Sequence, residues 1–289
     1  ILTETLFEDK LLLKNLLNQI MMQLQMEFVG AGHQYAMTRA CSMLTGPGAA
    51  KEAMVGSSFI QWVKAQCAAD DGQLDELAAQ LKAVAGKAFC AKRLTVSLSS
   101  NAEKLIDPVL RAFPKGSASG SAQLTPNTTD QIGLPIPAPI GFASKASNIK
   151  NYGGSFHGSI YVLTNVLNFS YLWNEIRVQG GAYGCGFAGR DDGDMFFYTY
   201  RDPQPGRSLN VFDKAVDFVR SFCAQKMDLT PMILGSMASA DPLLNTQMKI
   251  TVAENRYFKG ITYEDFCRVR HELISTTHED LLALTDVFQ

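Results

Sequence analysis

Residues 176–189 read IRVQGGAYGCGFAG, and the segment GCGFAG inside them satisfies G-x-G-x-x-G, the pattern of loops that cradle phosphate. A dinucleotide site of that kind needs a strand before the glycines and a helix after them. The helix N-terminus supplies the N–H groups and the positive dipole end that hold pyrophosphate. In this sequence the order is reversed. Upstream, Tyr161, Val162, Val166, Phe169, Leu172, Trp173 and Ile176 recur at intervals of three and four, the mark of one helical face. Downstream, MFFYTYR at 195–201 is an aromatic strand pattern, and RDDG at 190–193 carries turn chemistry. The expectation is a helix, a glycine-rich bend, and a β-hairpin over 182–201. A phosphate has no helix N-terminus to sit on there. The plain alternative gives Gly180 and Gly181 the work of turning the chain, and has Gly184 and Gly186 thin a strand for close packing.

The chain of 289 residues, 46% hydrophobic, is long enough for one large or two medium domains. Its 26 basic and 28 acidic residues nearly cancel, to −2, and no basic run follows the spacing of a phosphate backbone. No nucleic-acid partner is therefore expected. Apolar stretches are broken well short of the roughly 18 residues that span a bilayer. Six cysteines, at 41, 67, 90, 185, 223 and 267, form no C-x-x-C pair, which fits reduced thiols in a reducing compartment. Sequons at Asn127 and Asn168 are short enough to arise by chance, and Asn168 falls within the expected helix. The chain opens on Ile1 with no signal or transit pattern and stops at Gln289 directly after a helical stretch, so a segment of something longer is expected.

Along the chain, Thr5 and Glu8 form a possible capping box for a long amphipathic helix. Leu12, Leu16, Ile20, Leu24 and Phe28 would be its buried stripe, with Leu13 and Leu17 beside them, and Gly30 and Gly32 its end. HQYAMTRACSML at 33–44 alternates as a half-buried strand would. Helices are expected over 49–69 and 74–85, a strand over 92–99 and a short helix over 101–113. PKGSASGSAQLTPNTTD at 114–130 has too little apolar surface to fold by itself and reads as a linker. Beyond it, IGLPIPAPIGFASKA begins a second unit as an extended, proline-bearing strand. After the hairpin comes a helix over 208–222 whose Leu209, Phe212, Val216, Val219 and Phe222 share a face. The rest, from Thr230 on, is predominantly helical. Segregated strands and helices with a hairpin among them predict an α+β class with antiparallel sheet.

The four histidines, His33, His157, His271 and His278, are the scarce chemistry. His271-Glu-Leu-Ile-Ser275 begins like the zincin motif, but serine stands where the second ligand belongs, and His278-Glu-Asp-Leu-Leu282 fails in the same way. Thr277-His-Glu-Asp280 is a capping box that breaks the helix between them, so both are read as solvated surface. His157 is read as a cap or a packed core residue with no ligand partner. No G-x-S-x-G elbow is present.

Glu175-Ile-Arg177-Val-Gln-Gly-Gly-Ala-Tyr183-Gly, followed by Tyr200-Arg-Asp-Pro203, resembles the C-terminal half of the pitrilysin/insulysin-type zinc metallopeptidases, in their presequence protease subfamily. GAGHQYAMTRA at 30–40 is similar to that subfamily's third domain, and the helical tail to Gln289 matches in order and spacing. The resemblance implies two homologous-type domains of mostly antiparallel sheet packed with helices. These are an incomplete third domain at 1–113, the linker 114–130, and a fourth domain at 131–289 whose last strand is missing. It also implies a closed chamber between two halves, with zinc on an N-terminal half that carries H-x-x-E-H and a distal Glu. That motif is absent from these 289 residues, so no zinc is expected on this chain.

The family's C-terminal Arg and Tyr match Arg177 and Tyr183, with Gly180, Gly181, Ala182 and Gly184 shaping the substrate-binding bend and the following strand offering its edge to an extended peptide. The expected partners are the N-terminal half of the same polypeptide, or a partner chain, and peptide substrates. The expected function is the substrate-binding part of a peptide-degrading zinc endopeptidase, inactive alone. The alternative is a non-catalytic homologue acting as a structural or partner subunit. Mitochondrial matrix, plastid and cytosol are all compatible with the cysteines. Taken from the residues alone, Arg177 would be a surface ion pair and Tyr183 a half-buried ring.

Overall fold

The computed structural model describes residues 9–98, 104, 106–116, 124–128 and 131–288. The capping box expected at Thr5, and much of the segment 114–130, lie outside them. Contacts divide the chain into two compact units. The first comprises Ile1–Gln25, Ile60–Gln123 and Leu243–Ile261, and the second Met26–Phe59, Leu124–Pro242 and Thr262–Gln289.

The first unit is helical throughout its described residues apart from short connections. Leu13 and Leu17 of α1 (Lys10–Gly30) pack with Leu74 and Leu77 of α5 (Asp71–Ala88) as its apolar centre. A capping box starts α5, with Asp70 accepting from the Gln73 N–H and Gln73 accepting from the Asp70 N–H, both at 2.9 Å. The stripe expected on α1 is displaced by one position. Leu16 and Ile20 are exposed, and the buried ridge begins at Leu13 and Leu17. The strand expected at 92–99 does not form. A 3₁₀ turn, Ala91–Arg93, is followed by irregular chain to residue 98, with Val96 and Leu98 exposed. Alternation makes a strand only where a neighbour pairs its N–H and C=O groups, and no described segment does so here.

The second expected strand, 33–44, is a helix, α2 (Gly32–Ser42). Its Ala, Met and Arg content favours a helix, and Gly32, Tyr35, Cys41 and Ser42 turn inward. Residues 49–69 form two helices, α3 (Gly46–Val55) and α4 (Ser57–Cys67), broken at Gly56. The buried Glu52 causes the break. Its carboxylate folds back to accept from Ser57 Oγ at 2.5 Å and the Ser58 N–H at 3.0 Å, and it fills the space a side chain at Gly56 would need. A short helix, α6 (Ile106–Ala112), occupies the expected place in the first unit.

The second unit carries an antiparallel sheet in the order β1-β3-β2, from β1 (Ser144–Asn148), β2 (Gly184–Gly189) and β3 (Asp194–Tyr200). The class is α+β. Phe187 pairs with Phe197 across β2 and β3, and Lys145 with Phe197 across β1 and β3. The hairpin turn falls at 190–193, where Gly193 adopts φ +97° and donates to Arg190 O at 2.9 Å. The proline-bearing approach to β1 is irregular, with an isolated bridge between Gly141 and Asp202 and bonds between Ala143 and Thr199.

Behind the sheet lie α7 (Ser159–Leu167), α8 (Pro205–Asp213) and α9 (Ala215–Ala224). Ile160, Leu163, Leu167, Leu172 and Ile176 join Phe187, Phe197 and Phe212 in one core. The helix expected over 208–222 is two, parted at Lys214, and Leu209 is left exposed. The remaining α-helices of this unit are α10 (Thr230–Ala240), α12 (Tyr263–Ile274) and α13 (His278–Ala283), whereas α11 (Thr246–Lys259) belongs to the first unit. The helix breaks at Thr277 as expected, since Thr277 Oγ1 accepts from the Asp280 N–H at 3.2 Å and the Asp280 side chain accepts from the Thr277 N–H at 2.8 Å.

Candidate functional site

After Leu167 the helix changes gauge. Asn168–Val178 is a π-helix, and its closing bond runs from the Gln179 N–H to Asn174 O, five residues back, at 3.0 Å. Wider turns of this kind gather at functional sites. The change rotates the face: Leu172 and Ile176 stay fully buried, whereas Phe169 and Trp173, placed by the 3.6-residue spacing on the inner face, stand 68% and 45% exposed. Trp173 becomes a platform. The Arg177 guanidinium carbon sits 4.2 Å from one of its ring centroids and 5.8 Å from that of Tyr183.

The bend brings Tyr183 to this position. Gly181, at φ +77°, donates to Arg177 O at 3.1 Å, and the buried Ala182 donates to Ile176 O at 3.1 Å. Gly180 is also obligatory in space. A Cβ there would lie 2.5 Å from Ile176 O and 2.8 Å from Arg207 Nη1. The Tyr183 N–H then reaches Arg201 O at 3.3 Å, and Arg201 holds the left-handed φ of +49°, uncommon for a side-chain-bearing residue. Tyr183 is 67% exposed and meets Tyr200 edge-on at 5.8 Å.

Among the described residues Arg177 pairs with no carboxylate. Its neighbour Glu175 is occupied by Arg207, which donates to Glu175 O at 2.5 Å and pairs with its carboxylate at 3.6 Å, and by Gln179 at 3.2 Å. Among the described residues Arg177 makes no ion pair, and its contacts are two aromatic faces. Cation–π contacts hold a guanidinium with about 0.5–2 kcal/mol while leaving its N–H donors open.

The strand glycines have a packing purpose. A Cβ on Gly186 would sit 2.8 Å from the Tyr198 ring, and one on Gly189 would sit 2.3 Å from Ile160. Gly184 is looser, with Tyr200 Cβ at 3.5 Å. The edge of β2 is not open to a peptide at its centre. The Asn168 side chain occupies the outward N–H and C=O of Phe187, and Cys185 Sγ reaches Leu172 O at 3.3 Å. Burial pushes the Cys185 thiol up to about 11, outweighing the pull of nearby Arg177.

The histidines are now placed. His157 Nδ1 lies 2.7 Å from the buried Ser159 Oγ, and Glu272 approaches His157 Nε2 at 3.9 Å while accepting from the Gly158 N–H at 2.8 Å. This constellation pins the start of α7; the serine is sealed from any substrate. His278 is half-buried with an unpartnered Nε2, so it is not solvated surface, whereas His271 is. His33 is enclosed by rings, at 4.8 Å from Tyr200, 5.9 Å from Tyr198 and 6.3 Å from Phe142. Burial lowers its pKa, which leaves the imidazole neutral at pH 7. Among the described residues no three His, Cys, Asp or Glu side chains come together to hold a metal, so the residues present do not fit a zinc centre. No described helix is long and apolar enough to cross a membrane.

With this geometry in hand, comparison with known proteins is specific. A family model described as the PreP C-terminal domain matches residues 132–289, and a second, for a peptidase-associated region, matches residues 1–65. The chain belongs to the presequence protease family of peptidases. It is 26% identical to presequence protease 1, chloroplastic/mitochondrial, of Arabidopsis thaliana, over 97% of this chain and 27% of that protein. It is 26% identical to the mitochondrial presequence protease of Drosophila melanogaster, over 95% and 27%. Protein HypA of Clostridium perfringens is 32% identical over 52% of this chain and 15% of its own length. The chain thus spans about a quarter or less of the length of these relatives.

Proposed function

We infer that this chain is the substrate-binding C-terminal part of a peptide-hydrolysing zinc endopeptidase, with Arg177 and Tyr183 aimed at the carbonyl oxygen of the bond to be cut. The observation that carries the reading is the Arg177 guanidinium, held over Trp173 and beside Tyr183 with no acidic partner among the described residues. When a peptide carbonyl is attacked, negative charge grows on its oxygen. Arg177 offers a permanent cation with planar donors, and the Tyr183 hydroxyl a neutral donor. Neither needs to shed a protein partner first. Removing one such donor costs about 10²–10³ in turnover, on the order of 3–4 kcal/mol. Gly180, Gly181 and Ala182 set the bend that carries the phenol to the guanidinium, and Gly184, the first residue of β2, lies beside it.

On this reading the metal belongs to an N-terminal half of the same polypeptide, or to a partner chain, and the present chain cleaves nothing by itself. The match of the C-terminal model to 132–289 supports treating 131–289 as the last domain, with 1–113 assigned to the one before it by the same reading, although the contact-defined units cut across that boundary at 26–59 and 243–261. Relatives named as mitochondrial or chloroplastic support an organellar setting in the matrix or plastid.

The test is peptide turnover by the full-length gene product. Arg177→Ala and Tyr183→Phe are expected to lower kcat about 10²–10³-fold, far more than the small change in melting temperature that losing an exposed cation–π contact brings. Trp173→Ala is expected to lower it by roughly threefold to tenfold, by freeing the guanidinium. Wild-type turnover in either of the first two removes the assignment. A full-length protein that cleaves no peptide marks the chain as part of a non-catalytic relative.

A further inference from the structure

Tyr200, Tyr198 and Phe196 alternate along β3 and so share one face of the sheet. Their partners on β2 are Gly184, Gly186 and Ala188, small enough for the rings to lie across that strand. The aromatic face begins at Tyr183 beside Arg177 and passes His33. It ends in a cleft of about 530 Å³, whose lining includes Phe196, Tyr198, His33, Glu27, Lys51 and Arg190. That size suits a side chain or chain end with its flanking backbone.

The charges in the cleft are unequal. Arg190 lies with its guanidinium carbon 4.6 Å from the Phe196 centroid, and Lys51 is exposed. Neither forms an ion pair within 4.0 Å among the described residues. Glu27 is engaged with the Tyr35 hydroxyl, whose pKa is raised by burial and then by that carboxylate. His33 adds no charge at neutral pH. The cleft therefore joins an aromatic floor to two cations, of which Arg190 also feels the field of the buried Asp194 without forming an ion pair with it, while Lys51 is exposed. We propose that it is a specificity subsite for a carboxylate of the bound peptide, taken between Lys51 and Arg190 while the adjoining apolar part rests on Phe196 and Tyr198. The proposal rests on the reading that Arg177 and Tyr183 hold the peptide, because the aromatic face of β3 is what links the two places.

The experiment measures binding by the full-length protein of a peptide whose scissile amide is reduced, so that no turnover is required. One series moves a single Glu, or the matching Gln, along the peptide, and a second compares a free C-terminus with an amidated one. A Glu peptide in one register, or the free-acid peptide, is expected to bind about tenfold tighter than its neutral counterpart, as one charge-assisted hydrogen bond provides. The Lys51→Met/Arg190→Gln double variant is expected to abolish that preference, while Lys51→Arg retains it and shows that the fold survives. The Glu series and the amide series separate a side-chain carboxylate from a chain end. Equal affinity for charged and neutral peptides in the wild type, or an equal loss for both in the double variant, overturns the proposal. Arg177→Ala separates the two readings. If it abolishes turnover while the double variant leaves peptide preference untouched, the subsite is wrong and the assignment of Arg177 stands. If it leaves turnover intact while the double variant erases the preference, the subsite stands and the assignment of Arg177 is wrong.

Discussion

Asn168 and Phe187 exchange two hydrogen bonds. The side-chain Nδ2 donates to Phe187 O at 3.1 Å, and Oδ1 accepts from the Phe187 N–H at 2.6 Å. One amide thus closes the outer edge of β2 at a residue whose ring is fully buried in the core, and it does so at the point where α7 gives way to the π-helix. Asn168→Ala leaves a buried N–H and C=O unmet, each costing about 1–3 kcal/mol. The expected result is a lower urea midpoint with an unchanged slope, together with faster hydrogen exchange at the Phe187 amide. Unchanged exchange there would mean that the edge is held by something else. Both amide atoms face the strand, which also removes Asn168 as a glycan acceptor despite its sequon.

The glycines of 180–189 separate into those that are required and one that is not. Gly186→Ala forces a methyl to 2.8 Å from the Tyr198 ring and is expected to destabilise by about 1–3 kcal/mol. Gly181→Ala places a side chain at φ +77° and costs about 1–2 kcal/mol. Gly184→Ala meets only ordinary contact at 3.5 Å and gains roughly 0.5–1 kcal/mol, because alanine restricts the unfolded chain more than glycine does. Thermal denaturation of the three variants checks the ranking. Equal losses at 184 and 186 would contradict it.

Asp194 is buried beside Asn148, which donates to Oδ1 at 2.7 Å, and burial raises the pKa of Asp194 above its ordinary value of 3.8. A carboxyl that holds its proton more tightly when folded favours the native state at low pH. This contribution shrinks as pH rises from the ordinary value through the raised one. In that window Asp194 therefore makes stability fall with rising pH, opposite in sign to the exposed Asp228 and Asp265, whose pKa values are lowered by hydrogen bonds from Thr230 and Thr262. Asp194→Asn keeps an acceptor for Asn148 and removes the charge. Its denaturation profile is expected to lose the falling component and to lie above the wild type at pH 7. A profile parallel to the wild type would show that Asp194 does not titrate in this way.

The helix–bend–hairpin order around 176–189 was legible because each part is written locally. Turn chemistry sits at 190–193, aromatic alternation at 195–201 and paired glycines at 180 and 181. The α+β class follows from that order, and the break at Thr277 follows from its capping residues. Trp173 was misplaced because its intervals fit an ordinary helix. The intervals themselves carried no sign of the widened turns, because Asn168 stands among other polar residues, Asn165, Ser170 and Asn174, that an ordinary amphipathic helix would also show. The strand expected at 33–44 failed for the converse reason, since alternation over a few residues also occurs in a helix whose buried face is supplied by the rest of the unit.

By itself, then, the sequence determined the local conformations around the bend and the family to which the chain belongs, because both reside in contiguous residues whose backbone preferences and motif spacing need no distant partner. The tertiary structure decided which faces of those elements meet. The widened turns after Leu167 expose Trp173 under Arg177, Glu175 is drawn away by Arg207 from α8, and α2 sets His33 against the rings of β3. Each depends on burial and pairing between segments far apart in the chain, where the free energy of packing outweighs the small local preferences that a linear reading can weigh.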